Sequence, residues 1–93
     1  MKINWTQKAQ NNLISIGLYI KNDNPGIARK FLGAIRKRVL ILKENPQIGR
    51  IVPGLNQADI RELIFKNYRI VYKLKSQDID ILTVFEGHKL LKL

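Results

Sequence analysis

From Arg61 to Leu74 the chain reads Arg-Glu-Leu-Ile-Phe-Lys-Asn-Tyr-Arg-Ile-Val-Tyr-Lys-Leu, two runs rich in apolar residues joined by a polar pair. In the second run Tyr68, Ile70, Tyr72 and Leu74 alternate with Arg69, Val71, Lys73 and Lys75. That is the period-two signature of a strand with one apolar and one basic face. The first run, Ile60 to Lys66, gathers Leu63, Ile64 and Phe65 behind Arg61 and Glu62, and reads as a strand covered on both sides. Asn67 is where the chain is expected to reverse, because Asn tolerates positive φ better than other non-glycine residues. A lone hairpin is marginal in water, so the remainder of the chain has to cover this one.

The flanking sequence supplies the cover. Lys2 to Trp5 alternates as a short first strand, and Thr6 is placed to cap a helix whose inner stripe is Ala9, Leu13, Ile16 and Ile20, widened by Ile14, Leu18 and Tyr19. Asn24-Pro25 ends that helix and opens a second, with Asn24 as cap and Pro25 at the first helical position, where a missing N–H costs nothing. The second helix carries Ala28, Phe31, Leu32, Ile35, Val39 and Leu42 inward and Arg29, Lys30, Arg36, Lys37, Arg38 and Lys43 elsewhere. Asn45-Pro46 stops it, and the stretch to Pro53-Gly54, which contains Arg50, is written in turn residues. Asp78 to Glu86 forms a last strand, with Ile79, Ile81, Thr83 and Phe85 on one face and Leu82, Val84 and Glu86 on the other. Gly87 then breaks it ahead of the tail His88 to Leu93.

The order is therefore β-α-α-β-β-β: one α+β domain over residues 1–93, a helical hairpin packed on one face of a mainly antiparallel sheet. A chain of 93 residues with 45% hydrophobic content can bury a core of its own without staples. It has no cysteine, which excludes disulfides and thiolate metal sites. No apolar run exceeds the four residues Val39 to Leu42, against about 20 for a bilayer span, and Met-Lys-Ile-Asn-Trp offers no signal-peptide core. No membrane contact and a cytoplasmic location are expected.

Charge is the unusual bulk property: 17 Lys and Arg against 7 Asp and Glu give a formal +10. Self-repulsion of that size favours an acidic partner, a nucleic acid or an acidic protein. The surface expected to meet it is the uncovered sheet face, where Arg69, Lys73 and Lys75 would lie beside Val71, Leu82 and Val84, with Arg50 nearby on its loop and Lys89 in the tail. A mixture of cations and exposed aliphatics of this kind fits a partner segment lying across it. The plainer reading of the helix cations is an ordinary solvated face, and Tyr68 and Tyr72 fall on the apolar side of their strand, as core residues do.

The residues as a set resemble the RelE/ParE superfamily of toxins from type II toxin-antitoxin systems, and more closely its ParE-like branch. The resemblance is carried by Trp5-Thr6 with Ala9 and Leu13, Tyr19-Ile20, Asn24-Pro25, Asn45-Pro46-Gln-Ile-Gly-Arg50, Arg61-Glu62-Leu63, Tyr68-Arg69-Ile70-Val71-Tyr72 and Val84 to Leu91. It implies a growth-inhibiting toxin neutralised by a cognate acidic antitoxin in a hetero-oligomer, and it implies the same β-α-α-β-β-β fold.

The superfamily divides by mechanism. RelE-like members cleave mRNA on the ribosome, and metal-free cleavage needs a base, charge stabilisers and an acid. Here those roles would fall to Glu86 or Glu62, to Arg61 and Arg69, and to His88, the single histidine. ParE-like members inhibit DNA gyrase by binding. Two departures favour the second branch: no aromatic follows His88, where RNA-cleaving members commonly place one, and Glu86 stands where many relatives have a histidine, which leaves His88 out of register. Arg61-Glu62 also has a plain reading, a sheet-end ion pair. Phosphate loops, metal-ligand clusters and Ser/His/Asp sets are missing from the sequence, so no cofactor is expected.

Overall fold

The alternation that opens the sequence builds the centre of the sheet. The structure, a computed structural model, describes residues 1–87 of the 93. Strand β1 (Lys2–Trp5) leads into helix α1 (Gln7–Lys21), helix α2 (Pro25–Leu40) and a 3-10 turn (Ile41–Lys43), and then β2 (Arg50–Ile51), β3 (Ile60–Phe65), β4 (Tyr68–Leu74) and β5 (Asp78–Glu86). Among the described residues the strands form a five-stranded sheet in the order β1-β5-β4-β3-β2. Only β1 and β5 run parallel; the other pairs are antiparallel.

Both helices start as their caps dictate. The Thr6 hydroxyl oxygen accepts the Ala9 N–H at 3.1 Å, and the Asn24 side chain accepts those of Gly26 and Ile27 at 3.0 and 3.2 Å. Thr6 also donates to the Ile81 carbonyl at 2.8 Å, which fastens the head of α1 to β5. The helices approach closely at Gly17, where a Cβ would stand 2.9 Å from Leu32 Cδ1. Ala9, Leu13 and Ile16 of α1 and Ile35 and Val39 of α2 close over Leu63, Ile70, Tyr72, Ile79 and Ile81 in the main core. Each fully buried aliphatic there contributes about 1.5–3 kcal/mol relative to an exposed one.

Four expectations need correction. The widened stripe of α1 does not form: Ile14, Leu18 and Tyr19 are 60%, 59% and 70% exposed, because α1 turns Leu13, Ile16 and Gly17 toward its neighbours. The stretch after Asn45 is not wholly loop, since Arg50 and Ile51 pair with Glu62 and Arg61 as a short edge strand. The positive φ of the β3–β4 turn falls on Lys66, at 54°, while the Asn67 carbonyl accepts the Gly87 N–H. The first strand of the hairpin is not covered throughout, for Ile64 is 47% exposed.

The faces of β5 also differ from strict alternation. Tyr72 pairs with Ile81 but Val71 with Thr83, so Leu82 is an extra residue. This bulge reverses the phase of the strand. Ile79, Ile81 and Val84 all enter the main core, while Leu82 and Phe85 pack on the opposite face against a second cluster of Val52, Ile60 and Val71. Val71 and Val84, expected on an open surface, are therefore buried at 0% and 2% exposure. The segment after β2, through Val52 and Leu55, folds back over part of the second sheet face.

Candidate functional site

On that second face β2 and β3 place Arg50 opposite Glu62, and β3 and β4 place Glu62 opposite Val71 and Ile64 opposite Arg69. Side chains opposite one another share a face, so Arg50, Glu62 and Arg69 converge. The Glu62 side chain is fully enclosed. Arg50 donates from Nε at 2.8 Å and stands with Nη2 at 2.7 Å from the same oxygen, Oε2. Arg69 Nη1 lies 3.9 Å from Oε1, close enough to pair as a charge but too far for a hydrogen bond. A carboxylate taken from water is costly unless cations compensate it, and here one buried anion holds two cations that remain partly exposed, Arg50 at 53% and Arg69 at 31%. The stem of Arg69 passes over Gly87, where a Cβ would meet Arg69 Nε at 3.5 Å and the Asn67 carbonyl at 3.3 Å.

Arg61 lies on the other face. It pairs with Tyr72, and its guanidinium donates to the carbonyls of Ala58, Gln47 and Gly49 at 3.2, 3.3 and 2.9 Å. Tyr72 grips the same loop from within the core, donating to the Pro46 carbonyl and accepting from Gly49 N–H, both at 2.9 Å. Burial pushes the Tyr72 phenol above its ordinary pKa, against smaller opposing effects of the Gly49 bond and Arg61. Glu86 pairs with Tyr68 and so faces the helices. There it borders a shallow hollow with Asn12, Ser15 and Tyr19. The Tyr68 phenol, too, is held above its usual pKa, by burial first and then by Glu86 and Tyr19.

The residues expected to work together thus divide. Arg69 and Glu62 meet on one face of the sheet, and Arg61 and Glu86 are on the other. The partners of Arg61 and Glu86 on β4 are Tyr72 and Tyr68, which puts the two on the order of 13 Å apart along the strand. Of the expected binding residues, Arg50, Arg69, Lys73 and Leu82 retain exposed surface on the second face, whereas Val71 and Val84 have none to offer. His88 and Lys89 lie outside the described residues. Sequence reading missed Glu62 as the anchor of this cluster. The available signal was its alternation with Ile60 and Ile64, which turns its side chain toward the face that Val71 and Arg69 share.

A second surface was not foreseen at all. Along the outside of the helical hairpin, Ile14, Leu18 and Leu32 line a groove edged by Lys21, Arg29 and Arg36. Among the described residues no group of three His, Cys, Asp or Glu side chains is placed to hold a metal, and no helix is long and apolar enough to cross a membrane.

Comparison with known proteins agrees with this fold. The family described as the ParE toxin of the type II toxin-antitoxin system, parDE, matches residues 3–91. A curated protein of Sinorhizobium fredii (strain NBRC 101917 / NGR234), "Putative toxin Y4kP", is 38% identical over 90 residues, 95% of this chain and 90% of that one. Among solved structures, a chain of the chromosomal ParDE TA system from P. aeruginosa superposes with a TM-score of 0.77 at 25% identity, covering 92% of this chain and 95% of that one. With the two-helix, mainly antiparallel fold on the page, these matches place the chain in the ParE toxin family of type II toxin-antitoxin systems.

Proposed function

We propose that this protein is held inactive by an acidic antitoxin in the cytoplasm and that, once free, it arrests growth by binding DNA gyrase and not by cleaving ribosome-bound message. The observation that carries the choice of target is the division of the candidate catalytic groups: Arg69 lies across the sheet from Arg61 and Glu86, and Glu62, the carboxylate on its own face, is enclosed and paired with Arg50. General acid–base cleavage needs its groups within hydrogen-bond reach of one reacting centre, and Arg61 is already committed to three loop carbonyls. A binding inhibitor makes no such demand.

Support for the acidic partner comes from two sources. The formal charge of +10 is joined to apolar surface in two places, the groove of Ile14, Leu18 and Leu32 and the sheet face around Ile64 and Phe85. Apolar burial and complementary charge acting together favour a tight, selective complex. The solved chain that the fold matches belongs to a ParDE TA system. The test runs two assays on one preparation, trapping of gyrase on cleaved DNA and cutting of ribosome-bound mRNA, with the acidic product of the adjoining reading frame added back. Trapped gyrase and intact message, both reversed by that product, are expected. Fresh cuts in the message without trapped gyrase would overturn the choice of target.

A further inference from the structure

The cluster on the second sheet face is incomplete in a way that points to a ligand. Glu62 Oε1 is buried and has no hydrogen-bond partner among the described residues, although buried acceptors are normally satisfied. Arg69, its nearest cation, makes an ion pair at 3.9 Å and no hydrogen bond among the described residues, so the five N–H groups of a guanidinium that is 31% exposed are unspent. Arg50 uses Nε and Nη2 on Glu62 Oε2, which leaves its Nη1 without a bond among the described residues. The arrangement puts one guanidinium at each oxygen of a single carboxylate, which offsets their mutual repulsion.

We propose that Arg50, Glu62 and Arg69 form a socket for one carboxylate side chain of an acidic peptide segment, with Glu62 as the positioning residue; this rests on the antitoxin reading above and deepens it. Each oxygen of the incoming carboxylate takes N–H groups from one arginine, the geometry for which guanidinium is suited and ammonium is not. The surroundings favour peptide over nucleic acid. Arg69 sits between Ile64 and Phe85, its cross-strand neighbours, and Ile64 is 47% exposed. Among the described residues the further cations of this face, Lys73 and Lys75, stand beside the Asp80 carboxylate, whereas a phosphodiester track is met by a succession of cations free of anions. An acidic residue flanked by apolar ones matches this face in both charge and shape.

The test uses the sign of a charge change. The probe is the purified acidic product of the adjoining reading frame, with a random-sequence DNA duplex as control, and folding of every variant is checked by thermal melting. Arg50→Lys and Arg69→Lys keep the charge and lose the fork. Each is expected to weaken binding of the acidic product at least about tenfold, the loss of a charge-assisted hydrogen bond, with DNA binding unchanged. Glu62→Gln removes a negative charge, so simple attraction would tighten binding; a positioning role predicts that it weakens. Tighter binding by Glu62→Gln together with lysine variants equal to the wild type would overturn the socket, and a loss confined to DNA would overturn the choice of a carboxylate. If Glu62→Gln fails to fold, the lysine pair decides. Wild-type binding with indifferent variants defeats this inference alone, while no wild-type binding defeats the antitoxin reading with it.

Discussion

The hydroxyl of Tyr72 accepts the backbone N–H of Gly49 at 2.9 Å while donating to the carbonyl of Pro46 at the same distance. A side chain from the middle of the sheet thereby fixes a loop that leads into the edge strand carrying Arg50. Replacing Tyr72 by Phe preserves the ring and leaves one buried N–H and one carbonyl without a partner. Destabilisation of about 1–3 kcal/mol is expected, read from urea unfolding, together with faster amide exchange at Gly49.

Gly49 answers a different demand. A Cβ there would stand 2.5 Å from the Tyr72 hydroxyl and 2.7 Å from the Glu62 carbonyl oxygen. The first neighbour is a side chain, but the second is strand backbone and has little room to yield. Gly49→Ala should cost about 1–3 kcal/mol as overpacking, and combining it with Tyr72→Phe should not restore stability. Recovery in the double variant would show that the hydroxyl, and not the strand, sets the limit.

Much of the fold was legible because its signals were local. Thr6, Asn24 and Pro25 mark helix ends through their own backbone chemistry, and the alternation of Tyr68 to Leu74 needs no distant information. What was hidden depends on contacts remote in sequence. The bulge at Leu82 reverses the strand's phase, and the Asn12 side chain on α1 stabilises it by accepting from the Val84 N–H at 3.0 Å and the Thr83 hydroxyl at 2.8 Å. Glu62 could be read as an exposed ion pair or a catalytic base until Arg50 was known to face it from an unforeseen strand. The exposure of Ile14 and Leu18 likewise follows from how α1 is rolled against α2, which periodicity leaves undecided by a residue or two.

That reading of the bulge is itself testable. Asn12→Ala removes the acceptor and strands the Val84 N–H, so a loss of about 1–3 kcal/mol is expected. Asn12→Asp keeps the acceptor and should retain most of the stability. Equal losses in both variants would mean that the amide contributes in some way other than by accepting these bonds.

Lys75 and Asp80 give the protein a pH signature. Their side chains meet at 2.6 Å; the bond from Lys75, aided by Asn4, holds the Asp80 carboxyl below its ordinary 3.8, and Asp80 raises Lys75 above 10.5. A lowered carboxylate stabilises above its unfolded pKa and loses that contribution as pH falls through its folded value. A raised ammonium stabilises below its unfolded pKa and loses its share as pH rises through the folded one. The pair should therefore contribute between roughly pH 4 and 10, modestly because it is at the surface. Asp80→Asn should be less stable than wild type within that window, with the difference narrowing toward both ends. A gap constant with pH would exclude the ion pair as its source.

Arg61 offers the sharpest separation of a structural role from a chemical one. Its guanidinium holds Ala58, Gln47 and Gly49 through their carbonyls, and its cross-strand neighbour Tyr72 holds Pro46 and Gly49 beside them. Removing it should loosen the loop, at about 1–2 kcal/mol for bonds that are partly solvated. If that is its role, Arg61→Ala should lower toxicity only by as much as it lowers the folded fraction, and a condition that restores folding, such as lower temperature, should restore the activity. Were Arg61 a charge stabiliser in RNA cleavage, the fully folded variant would still be slowed on the order of a hundredfold. Measuring activity per folded molecule across temperature distinguishes the two, because only the first makes activity and folding run in parallel.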